Sequence, residues 1–83
     1  MCTLLTLYGT PGCHLCEQAA DLLSRYAAYA PVEIQHADIL ETHPDAEDLQ
    51  RSIPFLEDPS GERLFWPFDA GTLHQWIQYR STP

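Results

Sequence analysis

Gly9-Thr10-Pro11-Gly12-Cys13-His14-Leu15-Cys16 separates two stretches of different hydrophobic period. Before it, Leu4 to Tyr8 is a short apolar run. After it, Cys16, Ala19, Ala20, Leu23, Tyr26 and Ala27 recur at three- and four-residue spacing, a helical stripe. Glu17, Gln18, Asp21, Ser24 and Arg25 fall largely on the other side. A strand, a Pro/Gly turn and a helix that opens at or near Cys13 follow from this pattern. The first backbone N–H groups of a helix have no intrahelical partner, and the macrodipole is positive at that end. A thiol placed there ionises readily. In Cys-x-x-Cys sites the thiol pKa falls from about 8.5 to roughly 3.5–7.5. Cys16 lies one turn on, on nearly the same face, where it can attack a mixed disulfide formed at Cys13. The stretch reads as a dithiol redox site.

Outward from it, residues 3–8 lack clean alternation and read as a strand buried on both faces. Pro31 ends the first helix. Val32 to Ala37 alternates, with Val32, Ile34 and His36 on one side, and predicts a second strand. A helical crossover makes the two strands parallel. Asp38-Ile39-Leu40 leads out, and Thr42-His43-Pro44-Asp45 predicts the start of a second helix that ends near Arg51. Ile53 to Asp58 is a third strand, Pro59-Ser60-Gly61 a turn, and Glu62 to Trp66 a fourth strand. Asp69 is an N-cap residue. Leu73, Trp76, Ile77 and Arg80 mark the stripe of a last helix. The order is β-α-β-α-β-β-α, an α/β fold.

The 83 residues suffice for one domain, 1–83, with a modest core. No apolar run approaches the ~20 residues of a membrane span. Residues 1–8 lack the plan of a signal peptide, so the expected compartment is the cytoplasm, where structural disulfides are rare. The net charge is −8 and no Lys is present; the four basic side chains are Arg25, Arg51, Arg63 and Arg80, dispersed along the chain. Phosphate binding needs clustered cations, so neither nucleic acid nor an anionic membrane is expected as a partner.

The element order, the motif Tyr8-Gly9-Thr10-Pro11-Gly12-Cys13-His14-Leu15-Cys16 and Arg51-Ser52-Ile53-Pro54 together resemble the thioredoxin fold. They resemble most of all the small bacterial glutaredoxin-like proteins. The resemblance covers about Leu4 to Tyr79. It implies a four-stranded mixed sheet flanked by helices, with Cys13 as nucleophile and Cys16 as resolving thiol. It places Pro54 as a cis-proline beside the site, with the Ile53 backbone offered to an extended substrate by strand addition. Arg51 aligns with a basic residue that binds a glutathione carboxylate, and it also suits the end of the second helix. Tyr8, Thr10, Pro11, His14, Trp66 and Phe68 complete the substrate-binding positions, although Tyr8, Trp66 and Phe68 suit the core equally. Three positions depart from the family. Thr10 replaces a Lys, Trp66-Pro67 replaces a Gly-Gly pair, and Leu7 stands where thioredoxins bury a carboxylate.

The resemblance implies thiol–disulfide exchange on protein or small disulfides by a monomer that needs no prosthetic group. The reductant is a reductase or glutathione, with glutathione used weakly. Two other readings stand beside it: an iron–sulfur cluster or metal carrier, and a redox-inactive module that binds in the groove beside Pro54. A structural zinc site wants four ligands, and beyond the pair the chain has only Cys2 and the histidines at 14, 36, 43 and 74. No metal ligands are therefore assigned. His14 either stabilises the Cys13 thiolate or is an exposed polar residue. His36, His43 and His74 read as non-functional, Cys2 as an idle thiol and Leu15 as packing.

Overall fold

In the computed structural model, which describes residues 3–81, β1 (Thr3–Gly9) lies inside a four-stranded sheet. Helix α1 (His14–Ala27) returns the chain to β2 (Val32–Asp38), which pairs parallel to β1 from Thr3↔Val32 to Gly9↔Asp38. Two short helices follow, α2 (Ile39–Thr42) and α3 (Glu47–Arg51). Then come β3 (Phe55–Glu57), antiparallel to β1, and β4 (Arg63–Phe65), antiparallel to β3. Helix α4 (Ala70–Ser81) ends the described chain, and the strand order is β2-β1-β3-β4. Cys2 and the side chain of Arg80 lie outside the described part. Among the described residues, no helix is long and apolar enough to cross a membrane.

Alternation along β1 sends Leu5 and Leu7 to the face where α1 and α4 pack. There Ala19 and Leu23 of α1, Leu56 of β3 and Leu73 of α4 are almost fully buried with them. Burying one such leucine contributes about 1.5–3 kcal/mol, so this face holds most of the core. The other face was expected to be equally covered. It is covered only at one end, where Tyr8, Phe55 and Ile39 pack with Leu49 and Ile53. Leu4, near the other end of β1, remains 38% exposed. The reason is length: α2 and α3 span four and five residues, too short to shield a whole sheet face.

The second helix departs from expectation in position as well. Asp38 caps α2 itself. Its Oδ1 accepts the Leu40 N–H at 2.9 Å and its carbonyl accepts Thr42 Oγ1 at 3.0 Å, so Ile39 and Leu40 turn helical at once. Pro44 disfavours the helical region for the residue before it, and His43 sits at φ −137°, ψ 63°. The chain re-enters a helix only at Glu47. Gln50 Nε2 ties the break together by donating to the carbonyls of His43 and Pro44, each at 3.0 Å.

Strands β3 and β4 are shorter than the predicted runs, and the turn between them forms as expected. Buried Asp58 accepts from Ser60 N, Ser60 Oγ and Glu62 N through Oδ1, at 2.9, 2.7 and 2.9 Å. Gly61 donates to the Asp58 carbonyl from φ +93°, a conformation that costs glycine little. Asp69 caps α4 by accepting the Thr72 N–H at 2.7 Å. That bond to the charged form holds its carboxyl below the usual range.

Candidate functional site

The site is built where β1 gives way to α1. Gly12, at φ +78°, reverses the chain after Pro11 and delivers Cys13 to the helix N-cap. Cys13 has an extended backbone (φ −86°, ψ 112°), and its Sγ accepts the Cys16 N–H at 3.2 Å. The carbonyl of Cys13 accepts the Glu17 N–H at 3.1 Å. The sulfur therefore occupies the place of a capping oxygen, where a thiolate would meet the unpaired helix donors and the positive end of the dipole. Cys13 and Cys16 are joined by a disulfide, with Cα atoms 5.2 Å apart. Cys13 is half-buried and Cys16 only 9% exposed.

The contact behind Cys16 is tight. A Cβ at Gly9 would lie 2.9 Å from Cys16 Sγ, closer than real carbon–sulfur contacts come. Only glycine lets the end of β1 approach the inner cysteine this closely. A groove of about 250 Å³ opens beside the pair and is lined by Leu7, Gly9, Thr10, Pro11, Cys16, His36, Ala37 and Asp38. Thr10 and Pro11 thus border the inner cysteine. His36 and Asp38, which no motif marks, join them from β2.

On the other side of β1, the Tyr8↔Phe55 pair is the last in its ladder, so Pro54 comes level with Gly9 and the turn that carries Cys13. The Ile53–Pro54 bond is cis, and so is Trp66–Pro67. The Pro54 carbonyl accepts the Trp66 N–H at 3.1 Å. Among the described residues, no backbone group takes the Ile53 N–H or carbonyl. Arg51 is exposed at the end of α3. His14 is exposed and 3.8 Å from the Glu17 carboxylate.

Of the aromatic positions, Tyr8 is buried, stacked on Phe55 at 5.0 Å and edge-on to His43 at 5.4 Å. Burial, and then the nearby Glu57 carboxylate, push its phenol up. Phe68 is buried in the main core, and half-buried Trp66 meets its ring edge-on at 5.0 Å. Tyr8 and Phe68 thus occupy core places. Leu15 was expected to pack; instead it is 49% exposed between the cysteines, because the stripe through Cys16, Ala19 and Leu23 turns it outward. Among the described residues, no three His, Cys, Asp or Glu side chains converge as metal ligands.

This order of exposure predicts the order of reaction. With the reduced protein at mildly acidic pH, iodoacetamide should modify Cys13 before Cys16, read by peptide mass. Faster labelling of Cys16 would reverse the assigned roles.

Residues 4–78 match the model of the glutaredoxin-like domain (DUF836). The chain is similar to an X-ray structure of Northeast Structural Genomics target protein XcR50 from X. campestris. The two are 35% identical, with a TM-score of 0.75 over 95% of this chain and 99% of that one. A solution structure of the same target gives a TM-score of 0.72 at 35% identity, over 95% of each chain. No curated protein matches the chain. With the mixed sheet, the flanking helices and the Cys13–Cys16 pair at the start of α1, these matches establish the thioredoxin-like fold and a thiol redox role in general, and the chain belongs to the glutaredoxin-like domain family.

Proposed function

We propose that this protein is a dithiol thiol–disulfide oxidoreductase that acts on protein disulfides and uses glutathione poorly. The observation that carries this reading is the asymmetry of the pair: an outer sulfur capping α1 and an inner one held against Gly9. The Cys13 thiolate attacks a substrate disulfide, forms a mixed disulfide and expels one substrate thiolate. The Cys16 thiolate then attacks the Cys13 sulfur and expels the second. Two electrons pass to the substrate, and a cytoplasmic thiol reductant restores the dithiol. The Ile53 backbone, which no backbone group pairs among the described residues, suits an extended peptide that adds beside β3.

Glutathione is a small anion with two carboxylates, and a good site for it offers N–H donors and positive charge. Position 10 is Thr, Pro67 has no N–H, and the residue before it is a half-buried Trp66 whose ring packs edge-on to Phe68. The net charge of −8 adds repulsion that salt screens over about 8–10 Å. A missing hydrogen bond to a charged group costs roughly 1.5–3 kcal/mol, about ten- to a hundred-fold in affinity.

The test compares two assays. Reduction of insulin disulfides by dithiothreitol should be clearly accelerated. Turnover of the glutathione–mercaptoethanol mixed disulfide should be roughly ten-fold or more below that of a dithiol glutaredoxin run alongside. Full glutathione-linked turnover would overturn the substrate assignment, and no acceleration in either assay would overturn the activity.

A further inference from the structure

We propose that His36, on β2, accepts the proton that Cys16 loses when it resolves the mixed disulfide, with Asp38 stabilising the imidazolium. This rests on the dithiol reading given above. The inner cysteine cannot act as a thiol, because only the thiolate is nucleophilic, so its proton must leave a nearly buried site. The strand directly behind it offers nothing: Leu7 and Gly9 carry no proton acceptor.

The neighbouring strand does. The parallel register pairs Leu7 with His36 and Gly9 with Asp38. Side chains two apart on a strand share a face, so His36 and Asp38 stand on the face that Leu7 presents to α1. Cys16, His36 and Asp38 line the same groove of about 250 Å³. Gly9, paired with Asp38, has no side chain to stand between Asp38 and Cys16, and a Cβ there would meet Cys16 Sγ at 2.9 Å. The groove lies on the β2 side of β1, while Pro54 lies on the β3 side, so a substrate docked at Ile53 leaves the proton route open.

Imidazole is the side chain whose ordinary titration falls nearest neutrality, which suits a base working at that pH. Asp38 stands two positions beyond His36 on the same face of β2, its Oδ1 fixed on the Leu40 N–H. Few other charges face His36. Glu33 shares its strand and a second groove, where α1 and its C-cap contribute only Ala20, Ser24, Ala27 and Ala28. The first-turn pair His14 and Glu17 is exposed and turned to itself at 3.8 Å.

The step balances within the site. The Cys16 S–H bond breaks and its proton passes to His36 through the solvent of the groove. The Cys16–Cys13 S–S bond forms, the bond from Cys13 to the substrate sulfur breaks, and the electron pair leaves with the substrate thiolate. The two cysteines are oxidised and the substrate is reduced.

The test separates the two chemical steps. Reduced protein, with Cys2→Ser to silence the third thiol, is mixed with dithiobis-nitrobenzoate in a stopped-flow instrument. One coloured thiolate leaves as Cys13 attacks and a second as Cys16 resolves. His36→Gln should leave the first phase unchanged and slow the second roughly a hundred-fold or more near neutrality. Its pH limb should move up towards the free-thiol value of about 8.5. Superimposable second-phase profiles for the two proteins, or equal slowing of both phases, would overturn the assignment to His36. Absence of any second phase in the parent protein would instead overturn the dithiol reading beneath it.

Discussion

Cys13→Ser should reduce insulin reduction to the uncatalysed rate, while Cys16→Ser should stop the reaction half-way. A serine hydroxyl at the cap of α1 can still accept the N–H that Cys13 Sγ now takes at 3.2 Å, so the fold survives. It cannot form the thiolate on which attack depends. In Cys16→Ser the outer thiolate remains and the resolving one is gone. That variant should accumulate a covalent mixed disulfide with the substrate, visible as a mass increase that dithiothreitol reverses. The pair of results is diagnostic, because a general loss of structure would abolish turnover in both variants without leaving the Cys16→Ser variant able to trap the substrate. Retained activity in Cys13→Ser would place the nucleophile elsewhere.

Phe55→Ala should be the most damaging single change to stability. Phe55 is 0% exposed, stacked on Tyr8 at 5.0 Å and within 5.3 Å of the Phe65 ring. The Arg63 guanidinium lies over the same ring at 5.7 Å. Truncation of a buried Phe costs roughly 3–5 kcal/mol, against a total of about 5–15 kcal/mol for an ordinary domain. For a chain of this length that corresponds to a fall in melting temperature of roughly 12 °C or more. The control is Phe65→Ala. Phe65 is 46% exposed on the edge strand, so much less apolar surface is lost. Thermal unfolding followed by circular dichroism measures both. A shift for Phe55→Ala no larger than that for Phe65→Ala would show that the cluster on this sheet face adds little.

The same cluster shows where local pattern stops being informative. The apolar run of β1 is legible in the chain as a strand, and a strand puts Leu5 and Leu7 on the face opposite Tyr8. What lies over each face is not legible. The main core is shared by α1 and α4, far apart in sequence, while the second face depends on two short helices whose boundaries Asp38 and Pro44 set. The single helix predicted after β2 starts earlier and breaks at Pro44, because Asp38 is a good capping residue in its own right.

By itself, the sequence determined the chemistry and its local frame. The period change across Gly9 to Cys16, the capping position of Cys13, the helical stripe through Cys16 and the turns at Asp58 and Asp69 all rest on neighbours within a few residues. Local sterics and hydrogen bonding act at that range. Only the tertiary structure decided which side chains surround the cysteines. Leu15 is turned outward, Phe68 inward, and the Ile53 backbone has no backbone partner among the described residues. His36 and Asp38 arrive beside Cys16 because β2 runs parallel to β1 in one particular register. Periodicity states which residues share a face; the partner of that face is selected by packing between segments that the local pattern does not connect.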